Sequence, residues 1–262
     1  MIFRVFASSG PVVYISPKVI FHLGSIPITN SIFYGWLVFI FAVIFLIYIA
    51  RRVKIKPARG IIQLIEYAFE FIINLINTSF EDKNKAKKYQ PYFITLFLII
   101  LINNEFELFP FAGEALKSMG WPLLRPFTAD LNATFAMAAI TMGYVYYSSV
   151  KESGGFRKYL GHFFVGSPFN PLYLIIGILE MITDLTRVFS LSLRLFLNVT
   201  IGEIVIGVFS YLGQFLAPVS ALPFSLIEVF IMALQAYIFT VLSVMYLAIV
   251  VNHASEKEVQ TA

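Results

Sequence analysis

The stretch PLYLIIGILEMITDLTRVFSLSLRLFLNVTIGEIVIGVFSYLGQFL, residues 171–216, decides the fold. It is apolar almost throughout, yet it carries Glu180, Asp184, Arg187, Arg194 and Glu203. One upright membrane helix needs about 20 apolar residues to cross ~30 Å of hydrocarbon. This run is more than twice that long, so it is either two spans or one long helix that takes up its length by tilting. A second run, residues 222–252, follows a turn expected near Pro218 and Pro223. The pair reads as a long tilted helical hairpin.

Ionisable residues inside such a run cost about 2.5–3.5 kcal/mol each on insertion scales and face protein or water, which makes them functional candidates. Glu180, Asp184, Arg187, Arg194 and Asn198 fall on one helical face and form a polar stripe. Arg187 has a ready partner in Asp184, one turn before it. Arg194 has none so close. Glu203 lies nine residues beyond Arg194, about 13 Å along the axis and on the opposite face. In the second run, Glu228 and Gln235 share one face about two turns apart. If the runs pair antiparallel, Glu228 would meet Glu203 while Gln235 lies beside Arg194.

The rest of the chain agrees with a membrane setting. Hydrophobic residues make up 59% of the 262 and charged residues 13%, against about 25% charged in soluble domains. Residues 31–50 form a span without a charge, followed at once by Arg51, Arg52, Lys54, Lys56 and Arg59. Basic clusters mark the cytoplasmic side, so the N-terminus is expected outside. Residues 61–80 have helical periodicity but carry Glu66 and Glu70, which suggests an amphipathic helix on the membrane surface. The charged run 81–88 reads as a solvated loop. Further spans are expected at 92–109 and 128–149, with an outer loop between them. The second of these ends near Lys151, Arg157 and Lys158, again on the cytoplasmic side. The expected architecture is an all-α polytopic membrane protein, a single membrane domain of about five to six membrane helices.

Several function classes drop out. With Cys 0 there are no disulfides, thiolate metal sites or thiol nucleophiles. His22, His162 and His253 lie far apart, and no H-E-x-x-H pair is present. No P-loop lysine follows a glycine, and no G-x-S-x-G elbow presents a serine. The net charge of +4 sits in short loops rather than in a nucleic-acid patch. Prolines at 11, 17 and 27 interrupt any secretory h-region, so no signal segment is expected. No cofactor or metal is expected.

What remains is ion chemistry. Arginine stays protonated, so Arg194 attracts a carboxylate or blocks a proton path and does not itself relay protons. A carboxylate buried near another can load and release protons near neutral pH. A fixed cation flanked by titratable carboxylates suits a gated proton path.

The segments Ser190-Leu-Ser-Leu-Arg194-Leu-Phe-Leu-Asn198, Gly202-Glu203 and Ala233-Leu-Gln235-Ala-Tyr-Ile-Phe239 resemble subunit a of the F-type ATP synthase. So do Ile15-Ser-Pro-Lys-Val-Ile-Phe-His22, Pro27-Ile-Thr-Asn30 and Thr128-Ala-Asp130-Leu-Asn132, and the likeness is to bacterial members. It covers nearly the whole chain from about residue 15 to 250. The resemblance implies a stationary, non-catalytic ion-translocating subunit with two offset half-channels. Its partners would be a ring of c subunits, the peripheral-stalk subunit b, the rest of the complex and the lipid bilayer. Arg194 would face the ring carboxylate, with Asn198 and Gln235 as polar neighbours. Glu203 and Glu228 would line the outer half-channel, with Asn104 and Glu107 near its entrance. Glu180, Thr183 and Ser190 would line the cytoplasmic one.

Three positions depart from the family's commonest pattern. Leu197 stands where many members have glycine, Glu228 where some have histidine, and Glu105 is an extra carboxylate near the outer entrance. Hard oxygen ligands there also suit sodium. The expected location is a bacterial plasma membrane, with a mitochondrial inner membrane as the alternative. The rival class is a proton-coupled secondary transporter, which often shows internal repeats and broken midplane helices in both halves. This chain shows neither.

Overall fold

The computed structural model describes residues 17–52, 60–108, 117–118, 121–122, 125–156, 158–159 and 171–261. They form, in order, strands β1 (Val19–Leu23) and β2 (Ile26–Thr29) and helices α1 (Asn30–Arg52), α2 (Ile61–Ser79) and α3 (Lys83–Glu107). Strands β3 (Lys117–Ser118) and β4 (Trp121–Pro122) follow, then helices α4 (Leu131–Glu152), α5 (Pro171–Gly213) and α6 (Ala217–Thr261). Short 3-10 turns lie at Phe127–Ala129 and Gln214–Leu216. The architecture is helical, as the apolar runs require, and both hairpins are short additions.

Among the described residues, Asn30–Arg51 and the stretch Ile175–His253 are long and apolar enough to cross a membrane. In the first, only 28% of the most apolar window is buried within the chain. Trp36, Phe39, Ile40, Ile44 and Tyr48 stand exposed along it. A core helix of a soluble protein would hide such residues; a lipid-facing helix need not. Helices α3 and α4, with their interspersed Asn, Glu, Thr and Ser, are less apolar than these two stretches.

Several boundaries differ from the sequence reading. The run Lys83-Asn-Lys-Ala-Lys-Lys88 is not a loop but the opening of α3. Asp82 caps it, its carboxylate accepting from the Asn84 amide at 2.8 Å and its carbonyl from the Ala86 amide at 3.0 Å. Residues 128–130 lie outside α4, because Asp130 caps that helix by accepting from the Asn132 amide at 3.0 Å. Pro218 and Pro223 stand inside α6, and the reversal falls earlier, at Gln214–Leu216. Pro218, second in the helix, forfeits no hydrogen bond, because the first four amides have no intrahelical partner, whereas Pro223, seventh, leaves the Val219 carbonyl without its helical donor. Residues 171–213 form one continuous helix rather than two spans. Lys54, Lys56, Arg59, Arg157 and His162 lie outside the described residues.

Contacts divide the chain into two compact units, the first comprising Met1–Ala42, Ile100–Thr134 and Leu193–Ala236. Here β1 and β2 pair antiparallel through a two-residue turn at Gly24 and Ser25, where Gly24 takes φ +65°. Asn30 ends the hairpin and starts α1. Its amide donates to the Lys18 carbonyl at 2.9 Å, and its side-chain oxygen accepts from the amides of Lys18 and Ser31. Tyr34 donates to the Phe106 carbonyl at 2.7 Å, tying α1 to the end of α3. Near the tip of the α5–α6 hairpin, Ser220 donates to the Phe209 carbonyl at 2.8 Å, and Phe209 stacks on Phe224.

The second unit comprises Val43–Ile99, Phe135–Ser192 and Tyr237–Ala262. Its interior is apolar, with Ile72, Ile76, Phe93, Met142, Phe239 and Leu247 fully buried. Asn252 closes the end of α2, donating to the Ser79 carbonyl at 3.1 Å and accepting from the Glu81 amide at 3.3 Å. Tyr92 stacks on Tyr144 at 3.7 Å between α3 and α4. Lower on the same pair of helices, Glu152 binds Lys88 and Tyr89, the latter at 2.7 Å, with Lys85 at 3.4 Å. Burial alone would raise the Glu152 carboxyl, but the bonds from Lys88 and Tyr89 and the two lysine charges hold it below its ordinary value. Burial, with Glu152 beside it, pushes the Tyr89 phenol up, so it stays a donor.

Candidate functional site

In the first unit α5 and α6 run side by side in opposite directions. Asn198 donates its amide to the Gln235 side-chain oxygen at 3.1 Å. One turn further along α5, Gly202 lies under the Glu228 carboxyl group. Val199 and Met232 pack together with Ala129 as a buried apolar cluster between these polar pairs. The sequence puts Gln235 beside Arg194; in the structure its bonded partner is Asn198, one turn beyond. Glu228 rests on Gly202, the residue before Glu203, and no Glu203–Glu228 hydrogen bond is found among the described residues. Helix periodicity explains both shifts: residues four apart share a face, and the two helices mesh turn by turn.

Glu228 is 7% exposed and Gln235 2%. Asn104, at the end of α3, is fully buried and donates to the Met232 carbonyl at 3.4 Å, between Glu228 and Gln235 along α6. Buried atoms of this unit without a hydrogen-bond partner among the described residues include Asn104 Oδ1, Thr128 Oγ1, Thr200 Oγ1, Glu228 Oε1 and Gln235 Nε2. Each such atom costs about 1–3 kcal/mol if left dry. They come from four segments that the Ala129–Val199–Met232 cluster and the Asn104–Met232 bond bring together.

Arg194 is half-buried on α5, with exposed Leu193, Leu197 and Ile201 on its flank. Among the described residues no carboxylate forms an ion pair with it. Arg187, also half-buried on α5, differs in its partners. It pairs with Asp184, as the spacing suggests, and its guanidinium lies over the Tyr246 ring at 4.3 Å. One arginine of the stripe is therefore neutralised and stacked, and the other has no ion-pair partner among the described residues.

The remaining candidates are not gathered into this site. Glu180 is half-buried, while Thr183 and Ser190 are exposed on the part of α5 that belongs to the second unit. Thr183 donates to its own helix at the Leu179 carbonyl. The Glu107 side chain lies outside the described residues. No group of three or more His, Cys, Asp or Glu gathers as a metal site among the described residues.

Two participants went unnoticed in the sequence. Arg125, in the segment between α3 and α4, is 2% exposed. It stands in what reads as an outer loop, and only its apolar surroundings, Leu123, Leu124, Pro126 and Phe127, set it apart. Thr200 is a buried hydroxyl on the turn after Asn198; a lone threonine in an apolar run gives little signal.

The sequence matches the family described as ATP synthase A chain over residues 32–248. It is similar to ATP synthase subunit a of Moorella thermoacetica, 30% identical over 237 residues, covering 90% of this chain and 96% of that protein. It is 31% identical to ATP synthase subunit a of Anaeromyxobacter dehalogenans (strain 2CP-C), over 87% of this chain and 59% of the longer relative. A third relative, ATP synthase subunit a of Marinobacter nauticus, is 32% identical over 77% of this chain and 71% of its own length.

Proposed function

The chain belongs to the ATP synthase A chain family, and from that premise we propose that it is the stationary, non-catalytic subunit that carries protons to and from a rotating ring of c subunits. The observation that carries this reading is Arg194, a half-buried, permanent cation with no carboxylate partner among the described residues, set on a long apolar helix face. Such a charge is costly within a bilayer unless a partner answers it. A carboxylate arriving on a neighbouring subunit is that partner.

The unpartnered buried atoms of Asn104, Thr200, Glu228 and Gln235 support a wet passage through the first unit. Water supplies the missing bonds, and its hydrogen-bonded chain conducts protons. A proton passing Glu203 and Glu228 neutralises the ring carboxylate, which then enters lipid without the penalty of a buried charge. After nearly a full turn, the carboxylate releases its proton into a second passage marked by Glu180, Thr183 and Ser190. It is then drawn to Arg194, and Asn198 and Gln235 border the place where the two charges meet. The arginine blocks direct leakage between the passages. Each charge crossing 100 mV supplies about 2.3 kcal/mol for rotation.

Helix α5, at 1.5 Å per residue, is about 64 Å long, roughly twice the hydrocarbon thickness. It must therefore incline, which offers the ring an extended face on which two offset passages fit. We further place the N-terminal side of α1 outside and the basic ends of α1 and α4 in the cytoplasm of a bacterial cell. The peripheral-stalk subunit b is the expected second neighbour.

The deciding experiment measures ATP-driven proton pumping in inverted membranes containing the assembled complex, with Arg194→Ala beside the unaltered protein. Loss of pumping in a fully assembled variant is the expected result. Normal coupled pumping by the variant would overturn the reading.

A further inference from the structure

Arg187 lies on the stretch of α5 assigned above to the second passage. Thr183 is one turn before it and Ser190 one turn after, so the three share a helical face. A guanidinium does not lose its proton, so this cation is permanent. A fixed arginine beside a water-filled path is an electrostatic barrier to protons and other cations.

Here the cation is answered. Asp184 forms an ion pair with Arg187, and the guanidinium lies over the Tyr246 ring of α6 at 4.3 Å. The Asp184 backbone carbonyl accepts from the Tyr146 hydroxyl of α4 at 2.8 Å. Asp184 is thus tied to α4 through its backbone and to α6 through Arg187, and all four residues belong to the second unit. The side chains are 13% exposed for Asp184 and 29% for Arg187, so the pair is weakly screened.

We propose that Asp184 is a positioning residue of the second passage: it cancels the charge of Arg187 and holds the guanidinium against Tyr246, so that a permanent cation does not bar protons between Glu180 and Ser190. The proposal deepens the proton-channel reading and rests on it, since cancelling a charge on this face matters for transport only if protons pass there. Asp184 carries no proton in this scheme and acts through Arg187. The two partners are not equivalent. An arginine stripped of its partner stays charged, whereas a stripped aspartate in a poorly hydrated place sheds its charge by binding a proton.

ATP-driven pumping by the assembled complex in inverted membranes tests this asymmetry. Asp184→Asn leaves the cation bare and should lower pumping about tenfold or more, as a like charge beside the path does. Arg187→Gln, and the double variant that adds Asp184→Asn to it, should stay within about threefold of the unaltered protein, because the fixed cation is gone. Asp184→Glu, which keeps the charge, should retain most pumping. Normal pumping by Asp184→Asn would overturn the proposal. Equal losses in the two single variants, or a double variant no better than Asp184→Asn, would show that the pair only braces α5 against α6, and the proposal would be wrong. If Asp184→Asn alone does not assemble, the double variant should assemble and pump, because it removes the stranded charge. Failure to do so also overturns the proposal.

Glu180→Gln tells two kinds of failure apart. Lost pumping in Glu180→Gln beside normal pumping in Asp184→Asn would sink this proposal and leave the second passage in place. Normal pumping in both would remove the second passage from this face of α5, and the proposal with it.

Discussion

The Glu228 carboxyl occupies the space that a side chain on Gly202 would need: a Cβ there would overlap both carboxylate oxygens and their carbon. The only residue that leaves Glu228 its seat on α5 is therefore the one with no side chain. Gly207, five residues on, has nothing within 4 Å of the same position. Gly202→Ala should displace the carboxylate and cut proton conduction by about tenfold or more, since small misplacements of reacting groups are that costly. Gly207→Ala should leave conduction near normal. Equal effects of the two substitutions would show that helix flexibility, not the seat of Glu228, is what matters.

The Asn198–Gln235 bond crosses the hairpin beside Arg194. Gln235→Leu strands the Asn198 amide, and Asn198→Leu strands the Gln235 oxygen in turn. Each should destabilise the assembled complex by about 1–3 kcal/mol. The double variant should cost less than the sum, because neither partner is then left alone. Thermal midpoints of the four proteins give the coupling, and strict additivity would exclude a working bond.

The chain holds Cys 0, so single cysteines report on water without background. Thr200→Cys and Asn104→Cys should react with a small hydrophilic thiol reagent in native membranes. Leu195→Cys, on a fully buried apolar position, should react at least about tenfold more slowly, since thiolate formation is suppressed in apolar surroundings. Protection of all three alike would argue against a wet passage.

Glu152 makes a pH prediction outside the membrane-spanning segments. Its carboxyl is held below its ordinary value of 4.5 in the folded protein. Its stabilisation is therefore present above about pH 4.5 and is lost as the pH falls through the lower folded value. Glu152→Gln should lower the thermal midpoint at pH 7, by about 1–2 kcal/mol of stability given one half-exposed lysine partner. The gap between variant and unaltered protein should close as the pH drops below 4.5. A gap that persists unchanged in acid would assign the loss to packing.

How far the sequence carried depended on the kind of signal. The apolar runs and the polar stripe of α5 were legible because lipid enforces long uniform spans and makes every charge conspicuous. The pairing of Arg187 with Asp184 followed from helical spacing alone. The lysine run before Tyr89 misled because charge density reads as a loop, whereas lysine is a good helix former and Asp82 supplies the cap. The small hairpins escaped because their strands are too short for a period-two pattern to emerge. Arg125 escaped because burial of a loop residue is a tertiary fact. The segments around Asn30 and Asp130, which carry part of the family resemblance, hold in the structure the caps of α1 and α4.

Asn252 reaches back 173 residues to close the end of α2. At about 5–20 residues per second of synthesis, the Ser79 carbonyl and Glu81 amide wait roughly 10–35 seconds for this partner to be made. During that interval the last turn of α2 is held only by its own backbone and by water. The nascent protein thus carries an unfinished helix end until α6 has emerged. A chain arrested before residue 252 would expose that end to proteases that find it closed in the finished molecule.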